Sequence, residues 1–119
     1  MTCRTQDLTI TPYPSYQRYI TESRRTDAKA LLMTAAGDLE RCYTRINDYE
    51  ACFGDLNVSG RESENKFYII IAPEEDDLEP YLYVLSAEPQ GAQERDKDGC
   101  GTFTLTHRGE RGAGADDCW

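Results

Sequence analysis

Residues 14–46 read PSYQRYITESRRTDAKALLMTAAGDLERCYTRI, and this stretch decides the fold. Ile20, Ala28, Leu31, Ala35, Leu39, Cys42 and Ile46 recur largely at spacings of three and four, which places them on one face of an α-helix. Arg18, Glu22, Arg25, Lys29 and Glu40 are read onto the opposite, solvated face. Pro14 suits a first helical turn, where its missing N–H costs nothing. Gly37 costs about 1 kcal/mol relative to Ala inside a helix, and its neighbours Ala35 and Ala36 suggest close packing there. Asn47-Asp48 ends the pattern. A helix of roughly 30 residues is long for so small a domain. Its N-terminal part is expected to project, or to pack on another subunit.

Downstream the period changes from helical to extended. A loop carries Cys52, Gly54, Asn57 and Gly60. Three strand-like runs come next, over 66–72, 81–87 and 102–107. In the last, Phe103 and Leu105 alternate with threonines. Residues 74–80 join the first two runs, and residues 89–99 join the next two. One long helix and then a meander of three or four strands is an α+β pattern, with the helix covering one face of an antiparallel sheet. Residues 1–12 hold no sustained period and are read as a flexible leader or vector-derived segment, with 13–119 as the globular domain.

The 119 residues suffice for one domain with a modest core. The formal charge is -9, from 22 acidic against 13 basic residues, which argues against a general nucleic-acid binder but not against a local basic patch. No run approaches the roughly 18 apolar residues of a transmembrane helix, and no signal peptide is visible. Five cysteines leave one unpaired. Cys3, in the polar start, is taken as the free thiol. Cys42, Cys52, Cys100 and Cys118 leave three pairings open. The local one, Cys42 with Cys52 and Cys100 with Cys118, needs no long-range assumption, and each loop it closes is worth roughly 3 kcal/mol in the chain-entropy model. Such usage implies an oxidising compartment.

Several segments together resemble one family. Pro14-Ser15-Tyr16-Gln17-Arg18-Tyr19-Ile20, with Arg24-Arg25-Thr26-Asp27-Ala28 after it, resembles the segment beyond the hydrophobic half of the N-terminal helix in type IV pilins. Residues 35–43 look like the continuation of that helix. Cys100-Gly101-Thr102-Phe103-Thr104-Leu105, then Gly109-Glu110-Arg111-Gly112-Ala113 and Asp117-Cys118-Trp119, is similar to the C-terminal region of PilE-like minor pilins. The resemblance implies a type IV pilin fold with a four-stranded antiparallel sheet and a C-terminal loop bounded by Cys100 and Cys118. It implies a filament subunit and not an enzyme, with no cofactor. Its partners would be other pilin subunits and the pilus assembly machinery. Tyr16, Tyr19, Arg24 and Arg25 become candidate subunit contacts. Such pilins carry a prepilin-peptidase site and about twenty apolar residues before the Pro-Ser-Tyr segment, a part absent here. The chain is expected to be a soluble truncation, with membrane contact only through that helix half. Localisation would be inner membrane and periplasm before assembly, then the extracellular pilus. The expected roles are adhesion, twitching motility or DNA uptake, with a DNA-binding pilin receptor or a pseudopilin of a type II secretion system as alternatives.

Sharper chemistry finds little support. His107 stands alone at a strand end, and the serines lack a nucleophile-elbow sequence. Glu94-x-Asp96-x-Asp98-Gly99 mimics the start of an EF-hand, but Leu105 falls where the bidentate Glu is required. No C-x-x-C accompanies the one histidine, so no zinc site is expected. Arg18, Arg24, Arg25 and Lys29, interleaved with Glu22, Asp27 and Asp38, read first as a solvated face or subunit contact with i,i+4 pairs, and second as a DNA stripe. Arg108 and Arg111 lie just beyond the last strand. Asn57-Val58-Ser59, preceded by Asp55, fits a glycosylation sequon, a pattern short enough to arise by chance. Tyr13, Tyr16 and Tyr19 are read as packing against neighbours, not as an electron path. Trp119 is expected to hold the tail down.

Overall fold

In the computed structural model, residues 13–95 and 99–119 are described, excluding the side chains of residues 13–18, 92 and 95. Helix α1 runs Tyr13–Ile46, 34 residues, or about 51 Å at the helical rise. That length nearly spans the molecule's long axis, since the extents are 57 × 29 × 21 Å. Buried along α1 are Arg25, Ala28, Leu31, Leu32, Ala35, Leu39 and Cys42, spaced mainly by three and four. Two expectations are corrected here. Ile46 is 42% exposed because it lies past the end of the sheet's cover, and Arg25 points inward at 8% exposure instead of lying on the solvated face. Position 25 falls on the stripe whatever its residue type, and the guanidinium is not without a partner.

Asn47 takes a left-handed φ of 57° and its N–H reaches Tyr43 O at 2.8 Å, which closes α1. Asp48 then caps the short helix α2, Tyr49–Asp55, by accepting from Ala51 N at 3.1 Å. The Cys42–Cys52 disulfide fastens α2 to the last turn of α1.

Five strands complete the fold: β1 Tyr68–Ile70, β2 Leu78–Glu79, β3 Leu82–Pro89, β4 Phe103–Thr106 and β5 Arg111–Gly112. The antiparallel order is β1-β3-β4-β5, with the two-residue β2 also paired to β3. Registers are Ile70↔Ala87, Leu85↔Leu105 and Thr104↔Gly112. Alternation sends Tyr68, Ile70, Tyr83, Leu85, Ala87, Phe103 and Leu105 inward against the α1 stripe. Each such large apolar side chain is worth about 1.5–3 kcal/mol on burial. Two details differ from the sequence reading. The first strand is shorter than the apolar run over 66–72, because Lys66 adopts φ 63° and breaks the extended backbone before it. Residues 74–80 are more than a connector, since they fold into a 3-10 turn, Glu75–Asp77, and β2.

Polar side chains tie the helix to the long 47–67 connection. Asp27 accepts from Ser63 Oγ, Asn65 N and Asn65 Nδ2 at 3.2–3.3 Å. Asp38 accepts from Arg61 Nη1 at 2.9 Å, and Arg61 Nη2 reaches Leu56 O at 2.9 Å. Residues 1–12, including Cys3 and the expected leader, lie outside the described residues, as do Asp96 and Asp98 of the EF-hand-like turn.

Candidate functional site

The C-terminal region is built around the β4–β5 hairpin. Thr106 sits at its neck, and Thr106 Oγ1 accepts from Arg108 N at 3.2 Å and Glu110 N at 3.1 Å. Gly109 completes the turn at φ 82°, a backbone that side chains avoid. Arg108 is thereby held exposed at the tip. Arg111 is exposed on β5 with its guanidinium 5.1 Å above the Trp119 ring, a cation–π pair. Trp119 Nε1 donates to Gly112 O at 2.8 Å, and its ring meets Phe103 at 5.8 Å. The Cys100–Cys118 disulfide closes the loop, and Gly114 N donates to Cys100 O at 2.6 Å. A side chain at Gly112 would overlap Thr104, and one at Gly114 would overlap the Gly99 carbonyl. The loop is therefore a shaped surface, closed covalently and by packing.

A second surface runs beside α1. Arg24 lies 4.2 Å over the Phe67 ring, and Tyr19 stands 68% exposed next to it. Together with Ser23 and Asn65 they line a shallow depression of about 210 Å³ that meets a larger one of about 370 Å³ at Asp27. Both Asp27 oxygens are already occupied by Ser63 and Asn65. Arg24 is drawn onto its own chain, which leaves Tyr19 as the more available of the two for a neighbour. Tyr16 belongs to α1, but its side chain lies outside the described residues.

At the far end of α1, Glu40 accepts from Tyr49 Oη at 3.0 Å and from Tyr83 Oη at 3.1 Å. Burial first, then the Glu40 carboxylate, pushes Tyr49 up to about 12. The same causes push Tyr83 up strongly. Tyr43 stacks on Tyr49 at 4.1 Å, and Tyr49 meets Tyr83 edge-on at 4.8 Å. His107 is half-buried near both tyrosines, at 6.2 and 6.0 Å. Asp38 is held below the usual carboxylate range, chiefly by the hydrogen bond from Arg61, against the opposing pull of burial. Sequence reasoning missed Glu40 and Arg61, whose partners lie up to 43 residues away.

Among the described residues, no three His, Cys, Asp or Glu side chains gather to hold a metal ion. None of the described helices is long and apolar enough to cross a membrane.

Known proteins resemble this chain in sequence and fold. A family model described as type IV minor pilin ComP, DNA uptake sequence receptor, matches residues 14–104. A type IV pilin from Shewanella oneidensis is 33% identical, with 83% of this chain and 97% of that one covered and a TM-score of 0.58. The non-core minor pilin PilV of Neisseria meningitidis has the same fold at 18% identity, covering 84% of this chain and 93% of that one, with a TM-score of 0.62. No curated protein matches the sequence.

Proposed function

The chain belongs to the type IV minor pilin family that the ComP model describes, and we propose on that ground that it carries a DNA-contacting surface on the pilus during DNA uptake. As a minor pilin it acts by assembling with other subunits, not by catalysing a reaction. The observation that carries the DNA reading is the family match itself, whose described member is a receptor for a DNA uptake sequence.

The charge distribution restricts where contact could occur. Duplex DNA is held mainly through its phosphates, which need Arg or Lys free to reach them. The formal charge of -9 opposes DNA binding overall, so contact needs a local basic site. Arg61 is committed to Asp38, Arg41 pairs with the same carboxylate, and Arg25 is buried. Arg108 and Arg111 differ: both are exposed on one hairpin, and Arg111 is pre-positioned over Trp119. A guanidinium stacked on an indole keeps its donors free at a low ordering cost, which favours phosphate contact. Both residues lie beyond residue 104, where the family match ends.

The test is binding of short duplex DNA to the oxidised chain over a series of salt concentrations. The expected result is affinity that falls with salt, and a log–log slope smaller by about 2 in the Arg108→Ala/Arg111→Ala variant, roughly one per lost phosphate contact. Absence of salt-sensitive binding would sink the DNA reading while leaving the family assignment intact. The same acidic charge favours a second reading, a subunit that promotes filament assembly alone. Deleting the gene then removes pili, whereas a DNA receptor's loss abolishes uptake in cells that still carry pili.

A further inference from the structure

The turn after α2 carries Asp55-Leu56-Asn57-Val58-Ser59. Leu56 caps the helix, its N–H reaching Cys52 O at 2.9 Å. Asn57 comes next in the left-handed region at φ 51°, with its N–H on Gly54 O at 3.2 Å. Val58 N donates to Phe53 O at 3.2 Å, and the Val58 side chain is completely buried. Arg61 N returns to Val58 O at 3.2 Å. Val58 is thus a plug that fixes the turn from inside, while Asn57 and Ser59 on either side of it are exposed.

Left-handed backbone favours Asn over most residues, which accounts for the residue type at position 57. It does not account for a hydroxyl two positions on. Among the described residues, neither the Asn57 amide nor the Ser59 hydroxyl makes a side-chain hydrogen bond to the rest of the fold. Gly60, at φ 90°, leaves open space next to Ser59. The pattern Asn-x-Ser with a non-proline centre is the acceptor pattern for N-linked glycans and needs a surface turn of an exported protein. The disulfide Cys42–Cys52, which anchors α2 just before the turn, places folding in an oxidising compartment. Lipid-linked sugar donors are used in such compartments.

We propose that Asn57 is an N-glycosylation site, with Ser59 as the residue that positions the acceptor for the transferase. The donor class is an oligosaccharide carried on a polyprenyl diphosphate. Asn57 Nδ2 attacks C1 of the first sugar, the Nδ2–C1 bond forms, and the bond from C1 to the diphosphate oxygen breaks. The polyprenyl diphosphate departs with the electron pair, and the Nδ2 proton passes to a base of the transferase. No redox change occurs.

The experiment incubates the folded, oxidised chain with a bacterial oligosaccharyltransferase and a lipid-linked oligosaccharide, beside a control acceptor peptide. Mass spectrometry then reads the reduced tryptic peptide over 46–61. The expected result is one oligosaccharide increment, lost in Asn57→Gln and in Ser59→Ala and kept in Ser59→Thr. Circular dichroism of the variants checks that the fold persists. An unmodified peptide alongside a modified control would overturn the proposal. So would an increment that survives Asn57→Gln but disappears in Ser59→Ala, which marks an O-linked sugar instead.

Discussion

Glu40 serves two phenols, accepting from Tyr49 and from the buried Tyr83 with one carboxylate. Removing it in Glu40→Ala strands the Tyr83 hydroxyl in the core, at a cost of about 1–3 kcal/mol, readable as a lower denaturant midpoint. The pair also sets an alkaline limit. Both phenols titrate above the ordinary value of 10.0, so the native state holds their protons more tightly than the unfolded chain does. The stability they contribute is fully present below pH 10 and is lost as pH rises through their folded values. Ultraviolet titration of the folded chain should show ionisation that persists well above pH 10 and shrinks in Tyr49→Phe and Tyr83→Phe. Uniform ionisation near pH 10 would contradict this. Asp38 acts at the acid end. Its folded value lies below 3.8, so its contribution is present above that pH and fades as pH falls through the folded value. Asp38→Asn should flatten the acid arm of the stability profile, and an unchanged acid arm would count against the Arg61 bond. Arg25 shows how residue type misleads. Its charge suggested solvent, yet it stands three residues before Ala28 and seven before Leu32, on the inner stripe, and position prevailed.

Elements with long patterns were legible before the structure. The 34-residue α1 and the alternation of Phe103 and Leu105 in β4 are set by spacing alone. Two-residue β5 was not legible, because Arg111-Gly112 carries no periodic signal. It exists because β4 offers a free edge and Gly112 lets the backbone approach Thr104. The hairpin arginines were visible as residues, but the stacking of Arg111 on Trp119 depends on a tail that returns only after the loop closes. That closure can be tested as a unit. Replacing Cys100 and Cys118 by Ser should cost about 3 kcal/mol for a loop of this length. Trypsin should then cut more readily after Arg108 and Arg111. Because Trp119 also grips Phe103 and Gly112, cleavage should rise further when Trp119→Ala is added. Equal cleavage rates in oxidised wild type and the double Ser variant would argue that the disulfide does not shape this loop.

At the scale of the molecule, a sheet hangs from one side of a helix about 51 Å long. Attachments join α1 to the rest of the fold at separate heights, among them Asp27 to Ser63 and Asn65, Asp38 to Arg61, Glu40 to Tyr83, and Cys42 to Cys52. Between them the apolar stripe runs without a break from Ala28 to Leu39. A pull directed along α1 therefore loads these points in parallel, as shear across the whole contact, and does not peel them in turn. The covalent one lies farthest from the N-terminal end, where it stops the helix from sliding past the sheet. Stretching the oxidised domain between its N-terminal helix end and Trp119 should give one large rupture, and reduced protein should yield at lower force. A staircase of small ruptures in the oxidised form would contradict this. The Cys42–Cys52 link is then a mechanical stop for a tensile member.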